Sequence, residues 1–181
     1  MPRYTSRARL RAVIVIVAGV AGSGKTTIGT QLAEQLGWRF ADADSFHSAA
    51  NVAKMRNGIP LTDKDRAPWL NAIAAWMDAV DAAGQSGVVT CSALRRAYRD
   101  ELLARHPAAR MVFLEVTRDQ LVRRLVNRPG HFFPEELLDS QLKALEPPAP
   151  DEHILTIQER DDVPHTVAEI IARLGLDDGV A

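Results

Sequence analysis

One stretch, residues 13–27, constrains this chain more tightly than any other. It opens with five β-branched residues in succession, Val13-Ile14-Val15-Ile16-Val17. An apolar run without polar alternation suits a strand buried on both faces of a parallel sheet. The chain then reads Gly19-Val20-Ala21-Gly22-Ser23-Gly24-Lys25-Thr26-Thr27, which fills the whole pattern of a phosphate-binding loop. That chemistry needs each part. The glycines let the backbone curl, so that successive N–H groups point inward at phosphate oxygens. Lys25 brings a mobile positive charge to the β- and γ-phosphates. Thr26 offers a hydroxyl to Mg²⁺, and the helix starting there turns the positive end of its dipole toward the anion. Residues 19–27 are therefore expected to line a nucleotide-phosphate site. A plain glycine-rich turn would not explain the buried strand before the loop or the helical spacing of Ile28, Leu32 and Leu36 after it.

A length of 181 residues is enough for one domain, residues 1–181, with a full hydrophobic core. The formal net charge of −1 supplies no basic field for nucleic acid. Cys91 is the only cysteine, which excludes an intramolecular disulfide and a cysteine-based zinc cluster and suits a reducing cytoplasm. No apolar run approaches the roughly 20 residues that span a bilayer, so no membrane partner is expected. The arginines at 3, 7, 9 and 11 read as a frayed basic leader rather than the start of a signal peptide.

Beyond the loop, strands are expected at 38–41, 88–92, 111–116 and 154–157. Helices are expected at 28–36, 51–56, 69–82, 94–104, 119–126, 135–145 and 163–174. Thr62 is placed to cap a helix start, with Asp63, Asp65 and Pro68 in and around its first turn. Strict alternation of strands and helices argues an α/β fold, a five-stranded parallel sheet with helices on both faces. Arg124 and Arg128 lead into a Gly/Pro-punctuated segment with ring residues, 129–133, which suits a lid.

In an open parallel sheet, ligands sit beyond the carboxyl ends of the strands. The second strand runs into Asp42 and Asp44. If the chain is still extended there, the two carboxylates share one side. Asp42 then serves the metal and Asp44 acts as base or hydroxyl anchor; a solvated turn is the competing reading. His47 either binds a substrate hydroxyl or carboxylate, or caps the next helix. Arg66 enters a helix, where a substrate carboxylate would offset an unfavourable dipole; Asp63 or Asp65 would do so equally. Arg95 and Arg99 fall on one helical face and hold an anion, or form a solvated face. Arg124 and Arg128 suit a lid that neutralises transferring charge, with Arg128 the catalytic member; a surface helix is the alternative. Cys91 reads as a small buried residue.

These blocks together resemble the small, phosphate-loop gluconate kinases, which are related to shikimate kinase. The resemblance rests on DADSFH (42–47), NVAKM (51–55), GIPLTDKDRAPWL (58–70), CSALRRAYRDEL (91–102), GHFF (130–133) and LLDSQLKALEPP (137–148). It implies ATP- and Mg²⁺-dependent phosphorylation of D-gluconate to 6-phospho-D-gluconate, a lid over 124–146 and a homodimer. It also implies a hydroxyl-binding Asp44, a metal-side Asp42 and an Arg124 near adenine and phosphates. His131 and Gln141 are implied to touch substrate or phosphate. The chain departs from the pattern at Ser48, where proline is frequent, at Arg95, where lysine is, and at residues 158–160 after the fifth strand. A kinase of another hydroxy acid, such as shikimate, and a nucleotide-driven switch are the competing functions.

Overall fold

The computed structural model describes residues 12–126 and 135–176. The opening apolar run becomes β1 (Ile14–Ala18), buried along its whole length. Its neighbours are β2 (Arg39–Asp42), β3 (Gly87–Cys91), β4 (Arg110–Glu115) and β5 (Leu155–Gln158). All pair in parallel, in the order β2-β3-β1-β4-β5. The helices are α1 (Lys25–Leu36), α2 (Ala49–Arg56), α3 (Asp63–Ala82), α4 (Arg96–Arg105), α5 (Arg118–Val126), α6 (Glu135–Ala144) and α7 (Val163–Leu174). None of the described helices is long and apolar enough to cross a membrane.

Alternate residues of β1 serve opposite cores, as the period of a strand requires. Ile14, Ile16 and Ala18 pack with Trp69, Ile73 and Met77 of α3 and Leu102 of α4. Val15 and Val17 pack with Ile28 and Leu32 of α1 and Val167 and Ile170 of α7. A third cluster, Val20, Leu94, Leu121 and Leu138, joins the phosphate loop to α5 and α6. The register sets Val17 level with Thr90, and Thr90 level with Asp42. The ends of β1, β3 and β2 therefore open side by side.

Several boundaries differ from the sequence expectation. The helix α3 starts at Asp63, behind the expected Thr62 cap and ahead of the apolar spacing that begins at 69, because Thr62 and Asp65 close a capping box. The helix α4 starts at Arg96 rather than 94, since Ala93 has φ +39 and its carbonyl, like that of Leu94, is taken by a side chain. Asp42 ends β2, but Asp44 lies in a single 3-10 turn, Ala43–Phe46, so the two carboxylates do not share one side of an extended strand.

Gly29 marks the closest approach of α1 to the sheet. A Cβ there would stand 2.8 Å from the Thr90 γ-methyl and 3.1 Å from the Phe40 ring. Alanine is ordinarily better than glycine inside a helix by about 1 kcal/mol. Here the stiff Thr90 side chain and the packed ring make overpacking the larger effect, at about 1–3 kcal/mol. Gly29→Ala is expected to lower stability in denaturant titration; a stabilised variant would show that the contact relaxes.

Candidate active site

The phosphate loop turns on Gly22 and Gly24, at φ +78 and +90. Gly24 is the N-cap of α1 and brings no side-chain cap, so the first N–H groups of the helix stay available to an anion. The Lys25 ammonium donates to the Val20 carbonyl at 2.8 Å. The Thr26 hydroxyl donates to Asp42 Oδ2 at 2.7 Å, which ties the loop to the end of β2. Asp42 Oδ1 in turn accepts the Asp44 N–H at 3.0 Å. Asp42 is thus engaged on both oxygens, while Asp44 is exposed at the head of the cleft. The Cys91 thiol, at the end of β3, feels Lys25, Asp44 and Asp42 together, although burial dominates and pushes it up to about 12. Cys91 is a buried packing residue and no nucleophile.

His47 lies flat on Trp69, with ring centroids 4.6 Å apart and planes 10° from parallel. Trp69 is fixed by its indole N–H, which donates to the Ala43 carbonyl at 2.6 Å. Burial lowers the His47 pKa; Asp44 opposes this and Arg66 adds to it. The imidazole is therefore neutral at pH 7. His47 does not cap α2. Ser48 does, accepting the Asn51 N–H at 3.2 Å, which gives that departure from the family pattern a structural use.

Arg66 and Arg95 meet on Tyr98. Their guanidinium carbons lie 5.6 and 6.0 Å from its ring centroid. Arg66 Nη1 donates to the Tyr98 hydroxyl at 3.3 Å, that hydroxyl donates to Asp63, and Arg95 Nη1 donates to both Asp63 oxygens. The Tyr98 hydroxyl first, then Arg95 and Arg66, hold the Asp63 carboxyl below its ordinary range. Asp65 is occupied elsewhere, by Lys54 at 2.7 Å and by Thr62.

Two arginine expectations are corrected. Arg95 is the extended N-cap of α4, so it shares no helical face with Arg99. Arg99 is wholly buried and presents no exposed face to an anion. Its Nε and Nη2 donate to Glu152 at 2.7 and 2.9 Å, and Nη1 donates to the carbonyls of Ala93, Leu94 and Glu146.

Arg124 stands beside the phosphate loop. Its Nη1 donates to the Gly22 carbonyl, and its other nitrogens reach Asp161 and the buried Glu159. Gln141 also meets the loop, where its Oε1 accepts the Ala21 N–H at 2.8 Å. Arg128 and His131, with residues 127–134 of the expected lid, lie outside the described residues. Sequence reasoning missed Tyr98, Glu152, Glu159 and Asp161. Only the arginines they meet gave a signal, since each must find an anion when drawn out of water.

Thr26 and Asp42 present a hydroxyl and a carboxylate oxygen at one point beside the loop. These are hard oxygen donors of the kind Mg²⁺ takes, so the residues fit that ion.

An AAA-domain family model matches residues 14–148. The gluconokinase of Gluconobacter oxydans (strain 621H) is 39% identical over 178 residues, 98% of this chain and 100% of that relative. A sugar kinase from Janibacter sp. HTCC2649, solved without ligand, superposes with a TM-score of 0.85 at 44% identity, over 91% of this chain and 95% of its own. A gluconokinase from Sinorhizobium meliloti 1021 gives a TM-score of 0.82 at 38% identity, over 91% and 93%.

The Arg99–Glu152 pair makes two expectations. Arg99→Met strands a buried carboxylate and is expected to cost about 3–5 kcal/mol in denaturant titration. The hydrogen bond from Arg99 outweighs burial and holds the Glu152 carboxyl below its ordinary value. A carboxyl depressed on folding adds stability above its unfolded pKa and loses it as pH falls through the folded one. Stability is therefore expected to fall more steeply below about pH 4 in the native chain than in Glu152→Gln. Parallel acid curves would remove this linkage.

Proposed function

This chain belongs to the gluconokinase family and is an ATP-dependent small-molecule kinase, and from that premise we propose that it phosphorylates D-gluconate to 6-phospho-D-gluconate. One observation carries the reading: Asp42 is tied to the phosphate loop through Thr26 and caps the turn that carries Asp44, while Arg66, which meets Arg95 on Tyr98, acts together with Asp44 on His47. This is the equipment for an anionic acceptor that carries hydroxyls.

In the proposed reaction a gluconate hydroxyl oxygen attacks the γ-phosphorus of ATP. The new O–P bond forms as the bond to the β-phosphate oxygen breaks, and ADP leaves. Asp44 accepts the hydroxyl proton; its exposed carboxylate is not spent on the loop as that of Asp42 is. Neutral His47, held flat by Trp69, binds a further hydroxyl. Arg66 and Arg95 take the carboxylate. Lys25 follows the charge that develops on the phosphates, and Arg124 guards the nucleotide side of the loop. Thr26 and Asp42 would hold Mg²⁺, which would supply charge neutralisation at the phosphates. Arg128, in its catalytic role, and His131, toward substrate or phosphate, belong to this proposal on the family resemblance. So do a homodimer, carried from the family resemblance, and a cytoplasmic setting, which suits a lone buried Cys91.

A coupled ATP assay over a panel of sugar acids, shikimate included, is expected to give turnover with gluconate; equal ADP release with and without every acid would sink the proposal. Asp44→Asn is expected to lower kcat by roughly 10²–10⁴-fold, and Lys25→Ala to lower kcat with little change in melting temperature. Arg66→Met and Arg95→Met are expected to raise the gluconate KM by roughly 10–100-fold, the worth of a charge-assisted hydrogen bond, and to leave the ATP KM near the native value. An unchanged gluconate KM would move the carboxylate elsewhere.

A further inference from the structure

Gln141 lies on α6 and reaches across to a loop 120 residues earlier in the chain. A backbone N–H can only donate, so the group facing Ala21 must be the amide oxygen. That fixes the side chain's orientation. Its NH₂ sits on the same carbon, beside the phosphate loop. The peptide between Val20 and Ala21 is shared: its carbonyl accepts the Lys25 ammonium and its N–H donates to Gln141.

The helix that carries Gln141 is pinned on both sides of it. Leu138, one turn earlier, is 1% exposed and packs with Val20, Leu94 and Leu121. Glu146, just beyond the helix, donates its N–H to the Leu94 carbonyl at 2.8 Å. Its carboxylate accepts the Arg96 N–H at 2.8 Å, and its carbonyl accepts from Arg99. A residue held this firmly, with one end of its amide anchored on the loop, suits a second task for the other end. An amide also brings a donor without negative charge, so it does not repel phosphate as a carboxylate would.

We propose that Gln141 is a catalytic residue, whose oxygen anchors it to Ala21 while its Nε2 donates to an oxygen of the phosphoryl group in transfer. This rests on the cleft's being a phosphoryl-transfer site, and not on which acid receives the group.

Two variants test it. Gln141→Glu keeps an acceptor for the Ala21 N–H but has no amide donor; Gln141→Met has neither. Gln141→Glu is expected to melt with the native protein, and both variants to lose kcat by on the order of a hundredfold, the usual effect of removing a donor to developing charge. Gln141→Met, which adds no charge beside the phosphates, is also expected to bind ADP alone normally and to lose the extra affinity that aluminium fluoride confers on ADP. A role limited to docking α6 predicts that Gln141→Met keeps the native gain in ADP affinity with aluminium fluoride, and that outcome overturns the proposal. Either variant turning over within about threefold of the native rate overturns the proposal. If the native protein turns over no acid, the substrate reading fails, and the ADP–aluminium fluoride binding still decides the role of Gln141.

Discussion

A guanidinium with no exposed surface governs the acceptor side of this molecule. Taking an arginine out of water costs several kcal/mol, which is offset only when its donors all find good partners. Arg99 finds them in both oxygens of Glu152 and in three backbone carbonyls. Those carbonyls belong to two segments that are distant in sequence. Two come from the turn after β3, which delivers Arg95 to the cleft. The third comes from Glu146, which roots α6 and with it Gln141. Ala93 is held at φ +39, a conformation an alanine rarely adopts, because the carbonyls on either side of that turn are committed. The charge thus sets the position of groups that it never touches.

The phosphate side depends on a different economy, in which backbone groups do the binding and side chains hold the backbone in place. The strand β1 is buried on both faces, so the loop after it leaves a rigid base. Thr26 ties the first turn of α1 to Asp42 across the β3 strand that lies between them. Asp42 serves both halves: it receives the loop's threonine and caps the turn that carries Asp44. Two carboxylates two residues apart consequently have different tasks for a purely geometric reason. One ties the phosphate loop to the end of β2, and the other is exposed.

Local signals in the sequence were sufficient for most of the architecture. The unbroken β-branched run identified β1, and the spacing between Val163 and Leu174 gave α7 at both ends. Thr62 foretold the cap of α3, whereas the apolar spacing from Trp69 marked only the part of the helix that packs on the core. What stayed hidden was non-local. Nothing near Arg99 announces Glu152, 53 residues on, so the residue looked like one member of a surface arginine cluster. Nothing near Arg124 announces that Glu159, in a stretch that departs from the family pattern, is buried against it. Spacing arguments also failed where the backbone changed type. Asp42 and Asp44 share a side only on an extended strand, and Arg95 and Arg99 share a face only inside a helix.

The four arginines that spacing singled out, among the described residues, are sorted by what each can reach. Arg99 meets anions and carbonyls inside the fold and is removed from chemistry. Arg124 is balanced by Glu159 and Asp161 at the rim of the phosphate loop. Arg66 and Arg95 are held more loosely, across the face and hydroxyl of one tyrosine, with the 68%-exposed Asp63 between them. A solvent-screened carboxylate is a weak partner, so those two guanidinium groups keep most of their attraction for another anion. The same residue type therefore lies wholly inside the fold, at the rim of the phosphate loop and across the face of one tyrosine, and the degree of desolvation of its partner separates the three.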